Sequence, residues 1–186
     1  MKQVLGSLVL IGMMGAGKSS VGRCLNRRTG LVLKDTDEIV AAKFGMSIAQ
    51  IFQEHGEKQF REAEIEALRH IQNDERTIII TGGGIVLRRE NVNILTGRAI
   101  IVWLDADEET LFARAIREKK RPLLQTRNRR KAFSQILAAR RPLYEKIADI
   151  RVDTSALTAE ESAVAILTKL KRMNLKPKSC TRDKLP

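Results

Sequence analysis

Apolar residues in this chain fall into short unbroken runs separated by stretches with helical spacing. Residues 4–11 (VLGSLVLI) form a run suited to a strand buried on both faces. A Gly-rich turn follows, then a helical pattern over 18–28 that Gly30 stops. Residues 31–34 read as a short strand. Helical patterns follow at 37–44, 47–55 and 57–73, separated by Gly45 and Gly56. TIIIT at 77–81 is rich in β-branched residues and predicts a strand, broken by the glycines at 82–84. A helix at 89–96, a strand at 99–104 and a helix at 107–118 come next. Residues 119–127 read as an exposed loop, 129–147 as a helix and 149–153 (DIRVD) as a last strand. Thr158 with Glu161 forms a capping box that opens a closing helix.

Five strands separated by helices predict an α/β fold with a five-stranded parallel sheet covered by helices on both faces. With 186 residues and no repeat or linker, one domain over 1–172 is expected, followed by a loose basic tail over 173–186. Hydrophobic residues at 43% and charged residues at 30% suit a globular chain and argue against disorder. No run approaches the length of a membrane span, and no signal peptide is evident. Cys24 and Cys180 lie too far apart in sequence to suggest a disulfide scaffold or a zinc site, so a reducing, cytoplasmic setting is expected. A monomer is the default.

The net charge of +12 suggests nucleic acid at first, but its distribution argues otherwise. Residues 117–131 hold eight basic and one acidic residue, and 171–186 hold six and one. These two segments account for the whole excess. Aromatics, which would stack on bases, are only 4%. No nucleic-acid partner is expected, and the question becomes which anion sits beside 117–131.

Gly12 to Ser19 reads GMMGAGKS, which fits G-x-x-x-x-G-K-[ST] between a strand and a helix. Such a loop curls backbone N–H groups of Gly15, Ala16, Gly17, Lys18, Ser19 and Ser20 around phosphate oxygens, and the helix dipole favours the anion. Lys18 can reach the β- and γ-phosphates, and the Ser19 hydroxyl can ligate Mg²⁺. No Asn-Lys-x-Asp motif is present to read guanine, and the chain is short for motor machinery, which leaves a small kinase.

The acceptor half of the site is less explicit. Asp35-Thr36-Asp37 follows the second strand, where ligands gather in parallel sheets. One carboxylate could support Mg²⁺ through water, and the other could take a proton from an acceptor hydroxyl. The plain alternative makes Asp37 the N-cap of the next helix. Gly82–Gly84 permits close approach of backbone to a ligand. IIVWLD at 100–105 imitates a Walker B strand, but Asp105 serves as well as an N-cap. Glu64, three residues after Arg61, could fix its guanidinium. Two convergent arginines would suit an acidic acceptor. Met13 and Met14 read as filler in the loop, Cys24 as a packing residue, and His55 and His70 as structural or exposed.

Taken together, GMMGAGKSS, DTD at 35–37, FREAE at 60–64, TGGG at 81–84, KKRPLL at 119–124 and RRPLY at 140–144 resemble the shikimate kinase family over residues 5–170. The resemblance implies a nucleoside-monophosphate-kinase-like P-loop fold. It implies transfer of the ATP γ-phosphate to the 3-hydroxyl of shikimate, a step of aromatic amino-acid biosynthesis. It assigns 37–73 to substrate binding and 117–128 to a mobile lid. Lys18 would contact the phosphates, Ser19 would ligate Mg²⁺ and Asp35 would hold it through water. Asp37 would activate the acceptor hydroxyl. Arg61 and Arg140 would clamp the shikimate carboxylate, with Gly83 offering backbone contact. Arg121 would close on the transferring phosphate and Arg114 would pack near the adenine. Arg140 and Arg141 are adjacent where the family pattern has one arginine, and spacing favours Arg140. A gluconate or nucleotide kinase keeps the chemistry and changes the acceptor. A gluconate kinase would be expected to carry His-Pro soon after its acidic pair, where Glu38-Ile39-Val40 stands here, and a nucleotide acceptor would leave carboxylate-clamping arginines superfluous. A nucleic-acid-binding or silent P-loop protein would fit only the tail.

Overall fold

The structure, a computed structural model, describes residues 7–71, 76–117 and 126–174. The sheet is built from β1 (Ser7–Ile11), β2 (Val32–Asp35), β3 (Thr77–Ile80), β4 (Ala99–Asp105) and β5 (Ile150–Asp153). All neighbouring strands are parallel, in the order β2-β3-β1-β4-β5. Leu8 to Ile11, Thr77 to Ile80 and Ile101 to Asp105 are buried without alternation. Unbroken burial means that both faces of the central strands are covered. Each aliphatic side chain so buried contributes about 1.5–3 kcal/mol.

The flanking helices are α1 (Lys18–Thr29), α2 (Thr36–Phe44), α3 (Ile48–Glu54), α4 (Gly56–Ile71), α5 (Arg89–Arg98), α6 (Glu108–Arg117), α7 (Arg129–Ile147) and α8 (Ala159–Asn174). The predicted bounds agree with these to within one or two residues over the described chain. Among the described residues the structure adds a 3-10 turn, Ile85–Leu87, that the pattern does not predict. The main core surrounds the sheet, while α2, α3 and α4 share a second small core of Val40, Ile51, Phe60, Ala63 and Ala67.

Caps define several ends. Ser47 and Gln50 form a reciprocal capping box on α3, and Thr158 with Glu161 does the same before α8. The Asp35 carboxylate accepts from the Asp37 N–H at 2.9 Å, so Asp35, not Asp37, caps α2. Asp107, not Asp105, caps α6, accepting from the Thr110 N–H at 2.7 Å. Asp35 keeps an extended backbone (φ -115°, ψ 121°) before the first turn of α2, as an N-cap does. Most of the lid segment (118–125, including Arg121) and most of the basic tail (175–186, including Cys180) lie outside the described residues.

Candidate active site

Every strand of the sheet points its carboxyl end at the same rim. β1 delivers the phosphate loop, β2 delivers Asp35 and β3 delivers Gly82–Gly84. In the loop, Gly15 has φ 85° and sits so close to the Leu111 carbonyl of α6 that a Cβ there would overlap it. Lys18, at the start of α1, folds back over the loop and donates to the carbonyls of Gly12 at 2.8 Å and Met13 at 3.1 Å. Ser19 and Ser20 are exposed at the first turn of α1.

Two clefts, of about 520 and 530 Å³, open on this rim. One holds Lys18, Ser19, Ser20 and Asp35. The other holds Arg61, Glu64, Arg140 and an apolar wall of Ile48, Phe52 and Phe60. Met14, Asp37, Gly82 and Gly83 line both, so the clefts meet at the Asp37 carboxylate. Met14 is therefore a wall of the site and not filler.

Arg61 is buried, and two glutamates of its own helix hold its guanidinium. Its Nη1 donates to Glu64 at 2.9 Å, while its Nη2 and Nε donate to Glu57 at 2.9 and 3.2 Å. Glu64, one turn on, was foreseen as this anchor; Glu57, one turn back, was not, though the i−4 spacing carries the signal. Gly84 abuts the guanidinium so closely that a Cβ would overlap it, and a Cβ on Gly82 would stand 2.7 Å from Asp37. The triple glycine thus makes room for these two side chains.

Burial raises the Glu64 carboxyl to about 7, against the pull of Arg61. Burial and the neighbouring Asp37 raise the Asp35 carboxyl to about 6.

Arg140 lies on the buried stripe of α7 with Phe133, Leu137 and Tyr144. Its Nη1 comes within ordinary contact distance, 3.5 Å, of the position a Gly83 Cβ would take. The Tyr144 hydroxyl donates to the Gly83 carbonyl. Burial pushes that phenol up to about 12, so it stays protonated as a donor. Arg141 turns away and bonds Asp105. Arg114 lies against the turn after β5, donating to Thr154 and Ser155 carbonyls at 3.0 and 3.4 Å.

The structure therefore brings Gly17, Lys18, Ser19, Ser20, Asp35, Asp37, Arg61, Gly83 and Arg140 to the two clefts, with Gly15 and Ala16 in the same loop and Arg114 near the turn after β5. Among the described residues no group of three or more His, Cys, Asp or Glu is placed to hold a metal. The hard oxygen donors present, Ser19 and Asp35, fit a Mg²⁺ that keeps waters and phosphate as its other ligands. No helix of the described residues is long and apolar enough to cross a membrane.

A phosphate loop, an adjoining acceptor cleft and a carboxylate at their junction define a P-loop kinase. The family profile described as shikimate kinase matches residues 14–171. A shikimate kinase from Thermodesulfovibrio yellowstonii is 41% identical over 168 residues, 90% of this chain and 96% of that protein. One from Actinobacillus pleuropneumoniae is 39% identical over 161 residues, 87% of this chain and 93% of that protein. The solved shikimate kinase from Acinetobacter baumannii in complex with shikimate superposes with a TM-score of 0.89 at 34% identity, covering 94% of this chain and 97% of that one. The chain belongs to the shikimate kinase family, whose members are ATP-dependent kinases.

Proposed function

We propose that this chain transfers the γ-phosphoryl group of Mg·ATP to the 3-hydroxyl of shikimate through the residues assembled on the rim. The observation that carries this reading is the meeting of the two clefts at Asp37, with Arg61 and Arg140 buried on the acceptor side. A buried arginine pair against an apolar ring-sized wall suits a small carboxylic acid. Arg61 has five N–H donors and spends three on Glu57 and Glu64, which leaves two for a substrate carboxylate.

In this reading the shikimate carboxylate lies between Arg61 and Arg140, and its ring rests on Phe52 and Phe60. The Gly83 backbone steadies it. ATP phosphates occupy the loop from Gly15 to Ser20, and Lys18 exchanges the Gly12 and Met13 carbonyls for phosphate oxygens. Asp37 orients the acceptor hydroxyl and takes its proton as the new O–P bond forms. The bond from the γ-phosphorus to the bridging oxygen breaks, and ADP leaves. Bound Mg²⁺ neutralises phosphate charge; Ser19 would hold it directly and Asp35 through water. Arg121 of the lid closes on the transferring group, Arg114 supports the adenine side, and 37–73 and 117–128 act as acceptor-binding and lid segments. The enzyme works as a cytoplasmic monomer. Most of the rate comes from positioning and charge stabilisation.

The test is an ADP-release assay with Mg·ATP and shikimate, gluconate, a nucleoside monophosphate or no acceptor. Turnover with shikimate alone is expected. Turnover with gluconate would keep the phosphate loop and the arginine pair but discard shikimate as the acceptor, and turnover with a nucleoside monophosphate would discard the carboxylate roles of Arg61 and Arg140 as well.

A further inference from the structure

Asp105 ends β4, and its side chain is 3% exposed. A carboxylate so far from water must be paired, and removing one partner of such a pair is costly. Arg141 Nη2 donates to both Asp105 oxygens at 3.1 Å and to the Ala106 carbonyl at 2.9 Å. Arg151 Nη2 donates to the same carboxylate at 2.7 Å from β5. Arg141 is the next residue after Arg140, and neighbours on a helix leave it about 100° apart. Fixing Arg141 on the end of β4 therefore fixes the rotation of α7 and the direction in which Arg140 emerges. The backbone of Asp105 does something separate. Its carbonyl accepts from the Thr154 N–H at 2.8 Å and hydroxyl at 3.1 Å, and Thr154 in turn receives the Arg114 guanidinium.

We propose that Asp105 is a positioning residue for the acceptor: its carboxylate, acting through Arg141, aims Arg140 into the acceptor cleft. The inference rests on Arg140 being a carboxylate clamp. It separates the two substrates, because a side-chain change at Asp105 removes the arm to Arg141 and leaves the backbone arm toward Thr154 and Arg114.

The experiment measures KM for shikimate and for ATP, and thermal stability, in the full chain carrying Asp105→Asn, Arg141→Gln, Arg141→Lys or Arg151→Gln. Loss of one charge-assisted hydrogen bond predicts a rise of about tenfold in the shikimate KM for Asp105→Asn and Arg141→Gln. The ATP KM should stay within about twofold. Arg141→Lys should recover part of the loss. Arg151→Gln should leave both constants within about twofold, since Arg141 still occupies both Asp105 oxygens. The double variant Asp105→Asn with Arg141→Gln should match Arg141→Gln alone, because both changes cut the same arm. Trp103, the single tryptophan, lies 4.7 Å under the Arg151 guanidinium and 6.1 Å from the Tyr144 ring. Its emission gives a shikimate titration independent of turnover, and the midpoint should shift with the KM.

Equal movement of both KM values, or a fall in melting temperature with an unchanged shikimate KM, would overturn the inference. If Asp105→Asn does not fold, Arg141→Gln decides. A wild-type enzyme inactive on shikimate overturns the clamp itself. An active one with an unmoved Arg141→Gln overturns only the Asp105 role.

Discussion

Arg61 donates to Glu64 at 2.9 Å with side chains 5% and 0% exposed, an ion pair shut inside the acceptor cleft. Its geometry is set by one turn of α4, with Gly84 packed against the guanidinium. The pair holds the planar fork ready before any acceptor arrives, which lowers the ordering cost of binding.

Arg61→Lys should therefore raise the shikimate KM by roughly ten- to a hundredfold, because an ammonium cannot reproduce the fork. The ATP KM should hold. Steady-state kinetics against each substrate check this, and parallel loss of ATP affinity would count against the division of the site.

Asp37→Asn should cut kcat by about 10²–10⁴-fold, the usual worth of a positioned proton acceptor. Nucleotide affinity, measured by calorimetry with a non-hydrolysable ATP analogue, should change little. An asparagine enzyme with near-native turnover would show that Asp37 only positions the hydroxyl.

Glu64 and Asp35 make stability depend on pH in a defined direction. Their carboxyls rise from the ordinary 4.5 and 3.8 to about 7 and about 6 on folding. The native state then holds more protons than the unfolded chain between about pH 4 and 7. Their contribution is full below that window and is lost as pH rises through it. Glu64→Gln removes one of the two groups, so its melting temperature should improve relative to wild type between pH 5 and pH 8. A constant difference across that range would contradict the raised carboxyl.

Two glycine changes should have opposite outcomes. A Cβ on Gly84 collides with the Arg61 guanidinium, so Gly84→Ala should weaken shikimate binding sharply and lower the melting temperature. A Cβ on Gly97 of α5 meets nothing within 4 Å, so Gly97→Ala should stabilise by about 0.5–1 kcal/mol with unchanged kinetics. Denaturant titration of both variants checks the pair.

Tyr144→Phe leaves the Gly83 carbonyl without its hydroxyl partner. The expected cost is about 1–3 kcal/mol of stability. A larger proportional effect on the shikimate KM than on the ATP KM should accompany it, because the released turn lines the acceptor cleft.

The features legible from the residues alone are those whose physics is local. Strand and helix periods, the phosphate loop and the i, i+3 pairing of Arg61 with Glu64 are all written within a few residues of one another. Tertiary structure decided what depends on distant chain segments meeting. Arg140 and Arg141 are equivalent as letters, but the stripe of Phe133, Leu137 and Tyr144 turns the first into the cleft, and the carboxylate ending β4 takes the second. Asp105 reads as a plausible cap in sequence, but the fold makes it a buried anchor and gives the cap to Asp107. Met14 becomes a wall of the site only because β2 and β3 bring Asp37 and Gly82 beside it. A side chain's direction is set by the packing around it, and the partners that do the packing lie far away in the sequence.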